Sequence, residues 1–126
     1  MKLDIVTPLG RIFEGEIKEA YFPGLEGEFG VLEGHAPLTT TLVPGVITIK
    51  RPDNKEEIVA INSGYVEVTP DHVNVLVDDA QAIAGKTSGE IAEAIEKAKK
   101  LIRDAADSDV LAAAVTSKIE NAARNI

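Results

Sequence analysis

A chain of 126 residues that is 44% apolar has the size and composition of one folded domain with at most a small appendage. Its net charge of −8 is unevenly placed: residues 1–86 carry seven Lys/Arg against fourteen Asp/Glu, while residues 87–126 carry six against seven. An acidic front part repels phosphate backbones and anionic lipid, and two Tyr, three Phe and no Trp cannot build a base-stacking platform, so nucleic acid is excluded as the main partner.

The first two-thirds reads as all-β. Up to Gly85, nine of the ten glycines and all six prolines punctuate short runs rich in Val, Ile, Thr and Phe, the pattern of a sandwich or barrel. Strands are predicted at Leu3–Val6, Glu16–Phe22, Glu28–Val31, Leu38–Leu42, Val46–Lys50, Glu57–Ile61, Tyr65–Val68, Val73–Val77 and Gln81–Ile83. Pro44-Gly45 has the chemistry of a type II turn. Arg51-Pro52-Asp53-Asn54 reads as a hairpin loop. Val66 and Val68 alternate with Glu67, as in a half-buried strand.

Past Gly85 the period becomes helical. Thr87 and Glu90 form a capping box, followed by Ile91, Ile95, Ala98 and Ile102 at spacings of four, three and four. Asp107-Ser108-Asp109 groups good N-cap residues, and Leu111, Val115, Ile119, Ala122 and Ile126 mark a second apolar stripe. A short connection folds two such helices back as an antiparallel hairpin, each about 25 Å long at roughly 1.5 Å per residue. Both stripes are narrow and rich in Ala, so they bury little area and anchor the hairpin weakly. The expected class is α+β: an antiparallel β-sandwich over residues 1–86, then a two-helix hairpin over 87–126.

No cysteine is present, which removes disulfides, thiol catalysis and Cys metal sites. The opening MKLDIVTPLG has no apolar secretory segment, and no run of about 18 apolar residues occurs. The chain is therefore expected to be soluble, with membrane association only through a partner.

No constellation for catalysis stands out. Gly24-Leu25-Glu26-Gly27-Glu28-Phe29-Gly30 is dense in glycine, but no Gly-Lys-Ser/Thr follows it and two glutamates would oppose a phosphate. It reads as a turn with room for close backbone approach. His35 and His72 are far apart in sequence, without the paired histidines of a cupin-type metal site. His72, after Pro70-Asp71, reads as a solvated turn residue. His35, in Gly34-His35-Ala36-Pro37, suits either a structural hydrogen bond or a partner contact. Lys97, Lys100 and Arg103 share a helix face. They form either a solvated face balanced by Glu93 and Glu96 or a basic stripe for an acidic partner.

The stretch Gly27-Glu28-Phe29-Gly30-Val31-Leu32-Glu33-Gly34-His35-Ala36-Pro37-Leu38 closely resembles the epsilon subunit of F-type ATP synthases, equivalent to the mitochondrial delta subunit. Pro8, Gly10, Gly15, Pro44-Gly45, Gly64, Glu67-Val68, Val73 and Val75-Leu76 extend the resemblance over essentially the whole length. It implies a roughly ten-stranded sandwich that acts as a non-catalytic central-stalk subunit of a proton-translocating synthase, peripheral on the cytoplasmic face of a bacterial membrane. Its implied partners are the gamma subunit, the c-subunit ring and, through the helices, the catalytic alpha and beta subunits. By the same resemblance Glu28, Phe29 and Gly30 would meet the ring, and His35, Ala36 and Pro37 would lie near gamma. Lys97, Lys100 and Arg103 would touch an acidic loop of beta when the hairpin extends and inhibits ATP hydrolysis.

No catalytic residue, metal or cofactor is expected. Some members bind ATP on the hairpin through an Ile/Leu-Asp-x-x-Arg-Ala motif. Here Ile91-Ala92-Glu93-Ala94-Ile95-Glu96 lacks both the Asp and the Arg, so ATP binding is expected to be weak or absent. A free-standing β-sandwich binding module and a cupin-like enzyme are the readings from other classes.

Overall fold

The computed structural model describes residues 1–83, 88–105, 113 and 115–120. Ten strands come first: β1 (Lys2–Thr7), β2 (Gly10–Glu16), β3 (Glu19–Gly24), β4 (Gly27–Leu32), β5 (Leu38–Leu42), β6 (Gly45–Lys50), β7 (Glu56–Ile61), β8 (Gly64–Val68), β9 (His72–Val77) and β10 (Ala80–Ile83). Helix α1 (Ser88–Ala105) follows, and residues 115–120 are helical again. The strands join in the order β10-β7-β6-β3-β5-β8-β9-β1-β2, with β4 on the side of β3. The result is the expected sandwich followed by helices.

Nearly all pairs are antiparallel. The exception is β1 beside β9, which run parallel with Leu3 opposite Val73 and Ile5 opposite Val75. A parallel pair needs a long crossover rather than a tight turn, and the intervening strands β2 to β8 provide it.

Strands β1, β3, β8 and β9 bury every second residue, the signature of a sheet covered on one face only. Between the sheets lie Leu3, Ile5, Phe22, Val31, Ile47, Ile49, Val59, Ile61, Val66 and Val75. The core is aliphatic apart from Phe13 and Phe22, with Phe29 packed at its edge and its ring 5.6 Å from that of Phe22.

Strands β6 and β7 differ, because both of their faces are buried. Ile47 and Val59 pair on the inside, while Val46, Ile58 and Ala60, with Ile83 of β10, face outward beneath Ala98 and Ile102 of α1 and Val115 and Ile119 of the second helical stretch. Ala98 and Ile102 of the predicted stripe dock here, with Ile95 partly buried beside them, whereas Ile91 stands outside this cluster.

Three local expectations are corrected. A single strand over Glu16–Phe22 is in fact the end of β2 and the start of β3, with the chain turning at Ile17 and Lys18. Strand β2 escaped the sequence reading because Gly10 and Gly15 are poor strand formers and a register shift displaces Ile12: Ile5 pairs with Phe13, whereas Val6 pairs with Arg11. Pro44-Gly45 is not a type II turn, since Gly45 opens β6 without a positive φ. Glycine is needed there for space, because a Cβ would lie 2.6 Å from the Pro23 side chain. His72 is not a free turn residue. It begins β9, and its Nε2–H donates to Asn74 Oδ1 at 2.9 Å, with Asp4 Oδ2 3.1 Å away. The Arg51–Asn54 loop does join β6 to β7, and Arg51 makes a two-pronged bond to Glu57 at 3.0 and 3.1 Å. Thr87 of the capping box and Asp107-Ser108-Asp109 lie outside the described residues.

Two packing systems make up this molecule: the closed core between the sheets, and helices laid on one outer face. The fragment 1–86 is expected to melt in one cooperative transition, because among the described residues the inter-sheet core is built from the strands and their connections alone. Its melting temperature should fall by about 4–8 °C for each kcal/mol of lost cover over Val46, Ile58, Ala60 and Ile83. A gradual, non-cooperative loss of near-ultraviolet circular dichroism in that fragment would contradict this division.

Candidate interaction surfaces

The opposite outer face, on β5, β8, β9 and β1, carries no helix among the described residues. Two rows of side chains cross it. In the first, Thr41, Tyr65, Leu76 and Val6 stand side by side on successive strands. Tyr65 is 49% and Leu76 42% exposed. Leu9, in the β1–β2 turn, is almost wholly exposed, and so is most of Leu25 in the β3–β4 turn. The backbone N–H of Leu25 donates to the Thr41 carbonyl at 3.0 Å, so that turn belongs to the same end of the sandwich. A groove of about 390 Å³ runs along the row between Pro8, Gly64, Tyr65, Leu76 and Val77. An apolar row of this kind, rimmed by polar groups, is the usual mark of a protein contact.

The second row is polar: Glu67, Asn74, Asp4 and Glu14. Arg11 lies 2.9 Å from Glu14 and 3.5 Å from Asp4, Lys2 lies 3.1 Å from Glu14, and His72 closes the ladder on Asp4. Such linked pairs fix strand register and aim charge, whereas each exposed pair by itself adds little stability.

On the helical side, Lys99 Nζ lies 2.6 Å from Glu120 Oε1 and 3.8 Å from Glu96, tying α1 to the second helical stretch. Hydrogen bonding to Glu120, opposed by burial and assisted by the charges of Glu120 and Glu96, raises the Lys99 pKa above the ordinary 10.5. Lys118 pairs with Glu28 of β4, tying the same stretch to the sandwich.

Comparison with known proteins decides the family. Residues 1–83 match the family model described as ATP synthase, Delta/Epsilon chain, beta-sandwich domain. The chain is 49% identical over 124 residues to the ATP synthase epsilon chain of a Nitratiruptor species, covering 98% of this chain and 96% of that one. It is 47% identical over 125 residues to the ATP synthase epsilon chain of Wolinella succinogenes, with 99% and 95% covered. The chain belongs to the ATP synthase epsilon chain family. Two solved structures share the fold. A chain of the Euglena gracilis mitochondrial ATP synthase (OSCP/F1/c-ring) superposes with a TM-score of 0.62 at 22% identity, over 94% of this chain and 71% of that one. A chain of the Tetrahymena thermophila central stalk/c-ring structure gives 0.55 at 16%, over 83% and 95%.

The sequence-derived contact residues of this epsilon-family chain fall in three places. Glu28 is exposed at the start of β4, whereas Phe29 turns its ring toward the core. Gly30 lies beneath Tyr21, where a Cβ would come within 2.7 Å of the ring. Of that trio, Glu28 alone has an exposed polar side chain. His35, Ala36 and Pro37 lie past the other end of β4, whose last residue, Leu32, is about 13 Å of strand from Glu28 at roughly 3.3 Å per residue. Gly34 has φ +85°, a left-handed conformation that suits glycine, and its N–H donates to the Pro70 carbonyl at 2.8 Å. His35 Nδ1–H donates to the Ala36 carbonyl at 2.6 Å, a local bond that shapes the loop. Lys97 pairs with Glu93 at 3.2 Å, while Lys100 and Arg103 are exposed and make no ion pair among the described residues.

The Tyr65–Leu76–Val6 row and the Lys99 and Lys118 pairs were not singled out from sequence. Leu76 carried a usable signal, since it occupies the polar phase of Val73-Asn74-Val75-Leu76-Val77. The lysine pairs join residues far apart in the chain and left none. No three His, Asp or Glu groups among the described residues are grouped so as to hold a metal ion, and no helix there is long and apolar enough to cross a membrane.

The Glu120 pairing that raises the Lys99 pKa makes this link between the helical stretches depend on pH. A lysine whose folded pKa exceeds its unfolded value contributes stability that is fully present below 10.5 and is lost as pH rises through the folded value. Lys99→Gln should therefore lower the melting temperature of the helical signal at neutral pH, and the difference from wild type should close in the alkaline range above that value. A difference that persists unchanged there contradicts the pairing.

Proposed function

We propose that this chain is a non-catalytic, rigid subunit of the central stalk, built from a sandwich of residues 1–86 that couples the gamma subunit to the c-subunit ring and a helical hairpin of residues 87–126 that regulates ATP hydrolysis. The observation that carries this reading is the division of the two outer faces. One is covered by the chain's own helices, while the other carries none among the described residues and shows an exposed apolar row with a charged ladder beside it. A sandwich with a closed aliphatic core resists compression, as a part that transmits torque must.

In this reading gamma takes the bare face, with Tyr65, Leu76 and Val6 as its apolar anchor. His35, Ala36 and Pro37 bound that contact at the far end of the molecule. Glu28 addresses the ring, whose cationic groups would pair with it; Phe29 and Gly30 serve by shaping the strand that presents it. Exposed Lys100 and Arg103, with Lys97, form the basic stripe that meets an acidic loop of the beta subunit when the hairpin lifts. Its alpha and beta contacts pass through the helices. The chain sits on the cytoplasmic face of a bacterial membrane, held there by its partners.

The test is co-purification. The chain should form a stable one-to-one complex with gamma, and Tyr65→Asp combined with Leu76→Asp should weaken that complex at least tenfold, as loss of an apolar anchor does. Both side chains are exposed in the free chain, so circular dichroism should stay unchanged. Full retention of gamma by the double variant removes this assignment of the face.

A further inference from the structure

The Glu28–Lys118 pair joins two parts of the molecule that the proposed function assigns to different tasks. Glu28 is the second residue of β4, at the end of the sandwich that carries the exposed Leu25 turn. Lys118 lies 90 residues away, in the helical stretch 115–120. Among the described residues, Val115 and Ile119 of that stretch enter the apolar patch on β6, β7 and β10, and Glu120 pairs with Lys99. Lys118 is thus its polar tether to the sandwich, and that tether ends on a carboxylate facing solvent at the sandwich tip.

We propose that Glu28 is a shared carboxylate: it holds the second helical stretch down through Lys118, and a cationic loop of the ring displaces Lys118 from it, so that seating on the ring loosens the hairpin. This rests on the ring contact proposed above. A carboxylate can accept from two cations, as Glu14 does from Lys2 and Arg11, but two cations gathered at one carboxylate repel each other, so binding of one weakens the other, by the same factor in either direction. The size of that factor follows from the pair. Ion pairs at this exposure shift an equilibrium by about two- to fivefold. Ring contact therefore biases the hairpin without releasing it alone, leaving the larger part of the population shift to other contacts of the hairpin.

Amide hydrogen exchange of residues 115–120 tests both halves. In the isolated full chain at low salt, Glu28→Gln and Lys118→Gln should each speed exchange about two- to fivefold. The double variant should be no faster than either single one, and the swapped pair E28K/K118E should return toward wild type. Unchanged exchange in the single variants, or additive effects in the double one, overturns the tether. In the complex with gamma and the ring, without the catalytic head, exchange at 115–120 should rise by a similar factor over the gamma complex alone, and Glu28→Gln should abolish that rise. A ring that leaves wild-type exchange unchanged overturns the displacement. A chain that forms no complex with gamma or the ring overturns the function reading and the displacement with it, whereas the tether measured in the isolated chain is judged on its own.

Discussion

Val46, Ile58, Ala60 and Ile83 are apolar side chains on the outside of a sheet, and water is a poor neighbour for them. Covering them is the constraint on which the rest of the arrangement depends. The helices do so from one side only, through Ala98, Ile102, Val115 and Ile119. Small residues at the contact let α1 lie close but leave little area to hold it. Among the described residues the helices are attached by an apolar patch and by the Lys99 and Lys118 pairs, whereas the sandwich beneath has a full core of its own. A firm body with a lightly held cover is what the proposed division into rotor and regulator requires.

The asymmetry between the outer faces carries into the charges. On the face that carries no helix among the described residues, Asp4, Glu14, Arg11 and Lys2 compensate one another along the sheet, with His72 beside Asp4, leaving Tyr65 and Leu76 as its chief exposed apolar side chains. On the helical side, Lys99 and Lys118 each cross between elements to an acidic partner. Lys100 and Arg103, one and four residues past Lys99, are not used in this way among the described residues. Charges that hold the cover in place and charges available to a further partner therefore alternate along the helical face.

Much of the fold was legible in the sequence because alternation in a strand and four-three-four spacing in a helix are local signals. Val66-Glu67-Val68 and the Ile95, Ala98, Ile102 stripe behave as their spacing predicts. The runs Gly45-Val-Ile-Thr-Ile-Lys50 and Glu57-Ile-Val-Ala-Ile61 contained more than was taken from them. Their near-continuous apolar character marks strands buried on both faces, which names the sheet that the helices cover. Strand β2 was missed because glycines and a displaced residue break its pattern. Tyr65 and Leu76 pair across neighbouring strands, and Glu28 with Lys118 across the whole chain. Such juxtapositions depend on topology rather than spacing, so the candidate site was less legible than the fold.

The central claim is that the helix-free face docks on gamma while the helix-covered face does not. Hydroxyl-radical footprinting of the free chain and of its complex with gamma measures this directly, side chain by side chain. Tyr65 and Leu76, exposed in the free chain, should lose reactivity on binding, while Lys100 and Arg103 stay as reactive as before. Tyr65 and Leu76 that keep their reactivity, with protection falling on the outer side of α1 instead, would contradict the account.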